Sequence, residues 1–264
     1  MPVWPAEFVS ARTILLIALS AIVVVAVFFI DPIPQDPSYH AFADSRSLLE
    51  IPNFWNVMSN IPFLIVGGAG LYYVRSKNHP GLLPDLSMAY LVFFAGIFLT
   101  GIGSAYYHYA PGNSTLVWDR LPMTLGFMGF VTIIIGEHIS LPAAKWLLLP
   151  LLIVGAASVV YWDITEAHGS GDLRPYAIVQ FLPMLLIPLI LLMYRSAFDS
   201  VIFFWVVIAL YVLSKLFEHF DHDVYAFGEL ISGHSLKHFV AAIAPLVLLY
   251  GFDSRRPRSG VSPV

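Results

Sequence analysis

The chain has 264 residues, of which 58% are hydrophobic and only 11% are charged. Soluble domains typically carry about 25% charged residues, so the composition excludes an ordinary soluble protein and indicates a multi-pass membrane protein. The formal net charge of −4 says little about partners, whereas the lack of a basic patch argues against nucleic acid. The chain has no cysteine, which excludes disulfides and thiolate chemistry.

Eight apolar runs are long enough to cross the hydrocarbon core of a bilayer, which takes about 17 to 25 helical residues. They lie near residues 12–30, 54–74, 86–107, 121–136, 142–161, 175–194, 198–216 and 234–251. A helix satisfies its own backbone hydrogen bonds in lipid, and the alternation typical of membrane-barrel strands is missing. We therefore predict an all-α integral membrane protein.

The first run has one feature of a signal peptide, because Arg12 precedes it. The run is long, however, and Asp31-Pro32-Ile33-Pro34 follows it without a cleavage site of small residues. We therefore expect the first span to be retained as a membrane anchor.

The basic residues divide unevenly between the two sides that eight spans define. Eight of the thirteen fall on the side of the termini: Arg12, Arg75, Lys77, Lys145, Arg195, Arg255, Arg256 and Arg258. Lysine and arginine accumulate in cytoplasmic segments, so we expect both termini in the cytoplasm. The end of the third span and the starts of the fourth and eighth spans then face outward.

Polar side chains lie at these outward ends. The third span closes with Ser104 and His108, and the eighth opens with His234 and His238, each pair four residues apart and so on one helical face. The fourth helix opens with "WDRLPM" (118–123), which places Asp119 at the same depth. Ionisable groups within a span cost free energy, so their clustering favours a functional site over chance.

Three imidazoles are a sufficient ligand set for zinc, and leaving the fourth position to water is typical of a catalytic site. Bound zinc lowers the pKa of water to about 7. Asp119 would accept the proton of that water, and Ser104 would orient it or hydrogen-bond a developing oxyanion. A His-x-x-x-His pair at a helix start also occurs without metal, so this pattern alone leaves an ordinary polar interface open.

Asn56, Ser59 and Asn60 belong to a polar stripe at the outer end of the second span. Hydrogen bonding between helices explains such a stripe as well as contact with a substrate does. The three are therefore candidates for supporting the site or touching the substrate.

Two further polar segments flank the outward ends. "EHFDHDVY" (218–225) reads as a solvated loop or a gate over the pocket rather than a second metal site. Asp44 and Arg46, before the second span, are expected to form an exposed ion pair at the pocket mouth, which would contribute little to stability.

Four segments, in this order, resemble the motifs of the alkaline ceramidases. They are "NFWNVMSNIPF" (53–63), "GIGSAYYHYA" (101–110), "WDRLPM" (118–123) and "GHSLKH" (233–238). The resemblance covers about residues 44–251. These enzymes belong to a superfamily of seven-helix membrane hydrolases that includes adiponectin-receptor-like proteins and a branch that remodels GPI anchors.

The resemblance implies a fold and a set of roles. The second to eighth spans correspond to the seven-helix core, and the first span is an addition. His108, His234 and His238 match the zinc ligands of the family. Ser104 and Asp119 match the serine and aspartate beside the zinc.

The chain also departs from the family pattern. Asn53 stands where related animal enzymes have a calcium-binding glutamate, and no tryptophan follows Asp44, so we do not expect calcium. Arg120 stands where the family often has an acid. Arg120 either alters the electrostatic field at the Asp119 carboxylate or extends to the membrane interface.

Together these features predict a zinc-dependent amidohydrolase that cleaves the N-acyl bond of ceramide or a related membrane lipid, releasing a fatty acid and a sphingoid base. A lipid ester hydrolase and a receptor-like seven-helix protein with zinc remain as alternatives. The expected domains are an N-terminal helix with an outward loop (1–52), the hydrolase core (53–251) and a short basic cytoplasmic tail (252–264). The compact cysteine-free chain fits a bacterial inner membrane, with the site toward the outer face. The sequence predicts no oligomeric state.

Overall fold

The computed structural model describes residues 10–76 and 79–258, and this part of the chain is predominantly helical. The α-helices are α1 (Ala11–Val27), α2 (Phe54–Met58), α3 (Ile61–Arg75), α4 (Ser87–Tyr109), α5 (Asn113–His138), α6 (Leu141–Ala167), α7 (Arg174–Met193), α8 (Ile202–His219), α9 (Asp221–Ala226) and α10 (Gly233–Ser254). Counting α2 and α3 as one, seven of them are long and apolar enough to cross a membrane. The predicted all-α multi-pass fold is confirmed.

The N-terminal helix α1 has 17 residues and lies beside the seven longer spans. At one end of α7, Arg12 donates a hydrogen bond of 2.6 Å to the Met193 carbonyl; at the other end, Arg174 donates one of 2.5 Å to the Ile30 carbonyl. These two contacts show that α1 runs antiparallel to α7 along its length. The extra N-terminal helix expected from the sequence is therefore present, although it is shorter than the other spans.

The second predicted span is not one continuous helix. Helix α2 ends at Met58 and α3 begins at Ile61, with Pro62 in the first turn of α3. Proline suits a first turn because the missing N–H would have no helical partner there. The break places the polar side chains of Ser59 and Asn60 in the interior of the bundle.

Helices α4 and α5 pack with their backbones in close approach. A Cβ atom on Gly103 would overlap the carbonyl oxygen of Trp118. Small residues allow such contacts between membrane helices. Helix α5 begins at Asn113, not near residue 121 as the hydropathy pattern predicted, so Asp119 lies within the helix, close to Ser104 on α4.

The ends of α8 and α10 also differ from the prediction. The segment 218–225, predicted to be a loop, contains the end of α8 and most of the short helix α9. The predicted cytoplasmic tail begins inside α10, and Arg255 is buried. Lys77, residues 1–9 and the last six residues of the predicted tail lie outside the described residues. The domain boundaries stay predictions.

Candidate metal centre

Three buried histidines meet at one end of the bundle. His108 lies in the last turn of α4, and His234 and His238 lie in the first two turns of α10. Their candidate ligand atoms are all within 4.8 Å of one another, and the Nε2 atoms of His108 and His234 are 3.3 Å apart. The tertiary structure therefore brings together three histidines that could hold a metal ion.

The polar residues of the α2–α3 break surround this group. The Ser59 hydroxyl is 2.8 Å from Nδ1 of His238, which leaves Nε2 of that ring available to a metal. Asn56 accepts a hydrogen bond of 2.7 Å from the Ser235 hydroxyl, and the Asn60 amide donates one of 2.8 Å to the Asn56 carbonyl. Ser59 thus contacts a candidate ligand directly, whereas Asn56 and Asn60 tie the break together and to α10.

A cavity of about 390 Å³ extends from His238 into the bundle. His238, Ser104 and Asp119 line its outer part, and the Ser104 hydroxyl lies beside the Asp119 carboxylate. Apolar side chains such as Phe93 line its depth. Ser104 and Phe93 are separated by eleven positions on α4, so the cavity reaches about 16 Å along the helix. This shape suits a polar group near the histidines with an alkyl chain below it.

Part of the cavity wall is also exposed on the surface of the bundle. Phe181 on α7 lines the cavity, and 51% of its surface is exposed. Gln180 on α7 donates a hydrogen bond of 3.1 Å to the Tyr211 hydroxyl on α8, and both residues line the cavity. A lipid in the bilayer could therefore approach the cavity beside Phe181.

A charged cluster that the sequence analysis did not identify lines the outer part of the cavity. Lys215 and Lys237 each donate a hydrogen bond of 2.6 Å to Glu218. The Tyr39 hydroxyl donates a further one of 3.3 Å to the same carboxylate. Burial raises the pKa of Tyr39 well above its ordinary value, and the Glu218 charge adds to the effect, so Tyr39 remains a neutral donor. The position of Lys237 between two histidines was the available sequence signal.

A second group that was missed covers the histidines. The Phe42 ring lies over His108 and His234, with centroid distances of 4.7 Å to each. The following residue, Ala43, donates its backbone N–H to Asp221 at 3.0 Å, and Asp221 also accepts the His234 N–H at 2.7 Å. No spacing in the sequence marks Phe42, because its contacts join segments that are far apart in the chain.

Asp221 therefore holds both the segment that carries Phe42 and the start of α10. Within residues 10–76 and 79–258, the only group of three or more candidate metal-binding side chains is His108, His234 and His238. His219 and His222 take no part in that group.

Asp44 and Arg46 do form the predicted ion pair, with Arg46 donating bonds of 2.9 Å and 2.7 Å to the two carboxylate oxygens. The expectation of an exposed pair is wrong for Asp44, of which only 1% is exposed. Arg46 stays exposed, with 42% of its side chain accessible. Arg46 also donates to the Leu230 carbonyl, and the Asn56 amide donates to the Asp44 carbonyl. The pair joins the segment before α2 to the segment before α10.

Arg120 does not extend to the membrane interface, which was one of its two expected roles. Only 6% of the residue is exposed, and its guanidinium packs against the rings of Trp162 and Tyr176. Its Nη2 donates a hydrogen bond of 2.6 Å to Gln35. Arg120 is thus an interior residue of the outer end of the cavity.

A family model described as "Ceramidase" matches residues 48–253. The chain belongs to the ceramidase family. The match runs from the segment before α2 almost to the end of α10 and leaves α1 outside it, which confirms the resemblance noted in the sequence motifs. Ceramidase-family membership implies an amide hydrolase with a lipid substrate. No curated protein and no solved structure matches the chain.

Proposed function

We propose that this member of the ceramidase family is a zinc-dependent amidohydrolase that cleaves the N-acyl bond of ceramide or a related lipid, yielding a fatty acid and a sphingoid base. The observation that carries the proposal is the convergence of three buried imidazoles, one of which, His238, lines the polar end of a largely apolar cavity. Amide hydrolysis on a lipid needs both parts, a centre that activates water and a space for an acyl chain.

The spacing of the histidines supports zinc as the metal. Tetrahedral zinc with bonds of about 2.0–2.1 Å to nitrogen separates two nitrogen ligands by roughly 3.3 Å. The Nε2 atoms of His108 and His234 are 3.3 Å apart. With the Ser59 hydroxyl at Nδ1 of His238, the third ring is oriented in the way that metal-bound histidines usually are.

Asp119, Ser104 and the apolar side chains of the cavity have separate roles in the proposed reaction. A bound zinc ion would polarise the amide carbonyl and activate water. Asp119 accepts a proton as water attacks the carbonyl carbon, then donates it to the nitrogen as the carbon–nitrogen bond breaks. Ser104, beside Asp119, donates a hydrogen bond to the carbonyl oxygen. The apolar depth of the cavity holds the acyl chain, and the products are a carboxylic acid and an amine.

We also propose that both termini face the cytoplasm and the histidines face outward, in a bacterial inner membrane. The support is the distribution of charge. Arg12, Arg75, Lys145 and Arg195 lie at the helix ends opposite those that carry the histidines, and basic residues accumulate on the cytoplasmic side.

The test combines metal content with fatty-acid release from ceramide by the purified protein. We expect about one zinc ion per chain, as the single three-histidine site requires. His234→Ala should lose both the metal and the activity. Asp119→Asn should keep the metal but release fatty acid roughly 10²–10⁴-fold more slowly, because it removes the proton acceptor.

His168→Ala is the matched control, since His168 is exposed and lies at the end of α6. It should behave like the unaltered protein. Little bound zinc together with full activity of His234→Ala would exclude the proposal. Esters of the same acyl chain are assayed alongside, and faster release from the ester would assign the protein to the lipid ester hydrolases. Absence of release from both, with zinc present, would favour the receptor-like alternative.

A further inference from the structure

Arg120 is a buried cation without an ion-pair partner. It forms no ion pair with any carboxylate in the described part of the chain. Its guanidinium carbon lies 4.2 Å from the centroid of the Trp162 ring and 4.9 Å from that of Tyr176. Stacking on aromatic rings offsets part of the cost of burying the charge, but it supplies no acceptor for the N–H groups.

The hydrogen bonds of the guanidinium are also incomplete. Nη2 donates to Gln35, whereas Nη1 is buried and has no partner among the described residues. The indole Nε1 of Trp162, in the same aromatic cage, likewise has no acceptor there. Buried donors without acceptors cost free energy. Arg120 lines the cavity and Trp162 does not, so the guanidinium, and not the indole, is the group that a ligand in the cavity contacts.

The charge around the outer part of the cavity favours an anionic acceptor. Three cations line this region, Arg120, Lys215 and Lys237. The carboxylates that line it are Asp119 and Glu218, and Glu218 is shared by the two lysines. The cations that line this region therefore exceed the carboxylates by one.

We infer that Arg120, assisted by Lys215 and Lys237, binds an anionic oxygen group in the polar part of the substrate. The inference rests on the proposed amidohydrolase function and names its substrate class: N-acyl lipids that carry a carboxylate or a phosphate a few bonds from the amide. Asp119 and Arg120 both line the cavity, so such a group reaches the guanidinium while the amide lies at Asp119 and the histidines.

Binding is measured first, in the Asp119→Asn background, so that the lipids are not consumed. The matched probes are N-lauroylglycine and N-lauroylethanolamine, which share an acyl chain and an amide and differ in the terminal charge. A second pair is ceramide 1-phosphate and ceramide. We expect the anionic member of at least one pair to bind about tenfold or more tightly, because a hydrogen bond to a charged group is stronger than one to a neutral group.

Arg120→Gln should reduce this preference about tenfold or more, and Arg120→Lys should retain much of it because the charge remains. The preference should also fall with added salt, through screening. Lys145→Gln, which removes an exposed cation on the opposite face, is the control and should leave the preference intact. In the unaltered enzyme the same preference should be found in kcat/KM and arise mainly from KM.

The two pairs identify the source of the anionic group, since a preference in the first assigns a carboxylate and in the second a phosphate. Equal binding of the charged and neutral members of both pairs would overturn the inference, whether or not Arg120→Gln folds. Dodecanoate, the fatty acid that the lauroyl probes would release, is tested as well. If Arg120→Gln weakens the binding of dodecanoate but of none of the anionic lipids, the inference is also overturned, because Arg120 then holds the released fatty acid. If either of these results is obtained and ceramide is nevertheless hydrolysed, the proposed amidohydrolase function is supported and only the anionic substrate class is excluded.

Discussion

Hydrogen bonds at single residues decide how the three histidines are presented to a metal. The Ser59 hydroxyl is 2.8 Å from Nδ1 of His238, whereas Nδ1 of His108 is buried without a partner. The Asn53 amide instead holds the backbone carbonyl of His108 at 2.9 Å. The rings are therefore oriented by different means, and only His238 has a side-chain hydroxyl at its second nitrogen that can be removed by mutation.

Ser59→Ala is expected to weaken metal binding about 10- to 100-fold, which is the usual cost of losing a partner that orients a metal-bound histidine. Competition with a chelator measures the affinity. Ser114→Ala, at an exposed position near the start of α5, serves as the control. Equal affinity in the Ser59 and Ser114 variants would show that the hydroxyl does not orient the ring.

The histidines were predictable at this scale because helical periodicity is local. A spacing of four residues places His234 and His238 on one face whatever the remainder of the chain does. The same reasoning could not reveal the partners of Arg120. Its hydrogen bond to Gln35 joins residues 85 positions apart, and neither position carries a motif.

Among the structural elements, the segment between α1 and α2 has the largest effect on the site. Phe42 covers two of the histidines, Tyr39 contacts Glu218, and Ala43 is held by Asp221. The segment thus covers the histidines at their end of the bundle, while the cavity extends from His238 past Phe181. We infer that water and chelators reach the centre more slowly from outside than they would without this cover.

Phe42→Ala should accelerate metal loss to a chelator, because the substitution opens a path to His108 and His234 without removing a ligand. The rate of metal release after mixing with excess chelator is the measurement. Phe227→Ala removes a phenylalanine that is exposed near α9 and should leave the rate unchanged. If both variants release metal at the rate of the unaltered protein, Phe42 does not control access.

The hydropathy pattern predicted the helices better than their ends. It located all the spans but missed the break between α2 and α3 and the two extra turns of α5 before residue 121. Residues such as Asn113 and Asp119 are polar, so an apolar window excludes them. They are helical here because α5 continues beyond its apolar part and packs against the end of α4 through Gly103.

At the scale of the whole molecule, a buried ion pair holds the bundle at the end opposite the histidines. Arg255, just after α10, donates bonds of 2.8 Å and 2.5 Å to Glu137 near the end of α5. Each residue is 3% exposed. Arg255 also donates to the Gly81 carbonyl, and Tyr90 donates to Glu137 at 2.6 Å. The pair thereby connects α4, α5, α10 and the segment before α4.

Arg255→Met should destabilise the protein by about 3–5 kcal/mol, because it leaves the Glu137 carboxylate buried without its counter-charge. Thermal unfolding in detergent measures the change. The double variant Arg255→Met, Glu137→Gln should recover part of the loss. Lys145→Met breaks the exposed pair with Asp85 and should cost no more than about 1 kcal/mol. Similar losses in the two single variants would mean that burial does not make the Arg255 pair important.

Local sequence patterns were enough to predict an all-α membrane protein, the order of its spans, and the helices that carry its histidines. Hydropathy and helical periodicity are properties of contiguous residues, so they can be read without a fold. Only the tertiary structure decided what surrounds the histidines. Phe42 lies over His234, and Tyr39 contacts Glu218 across 179 positions of the chain. Such contacts follow from how the helices pack, which no local pattern encodes.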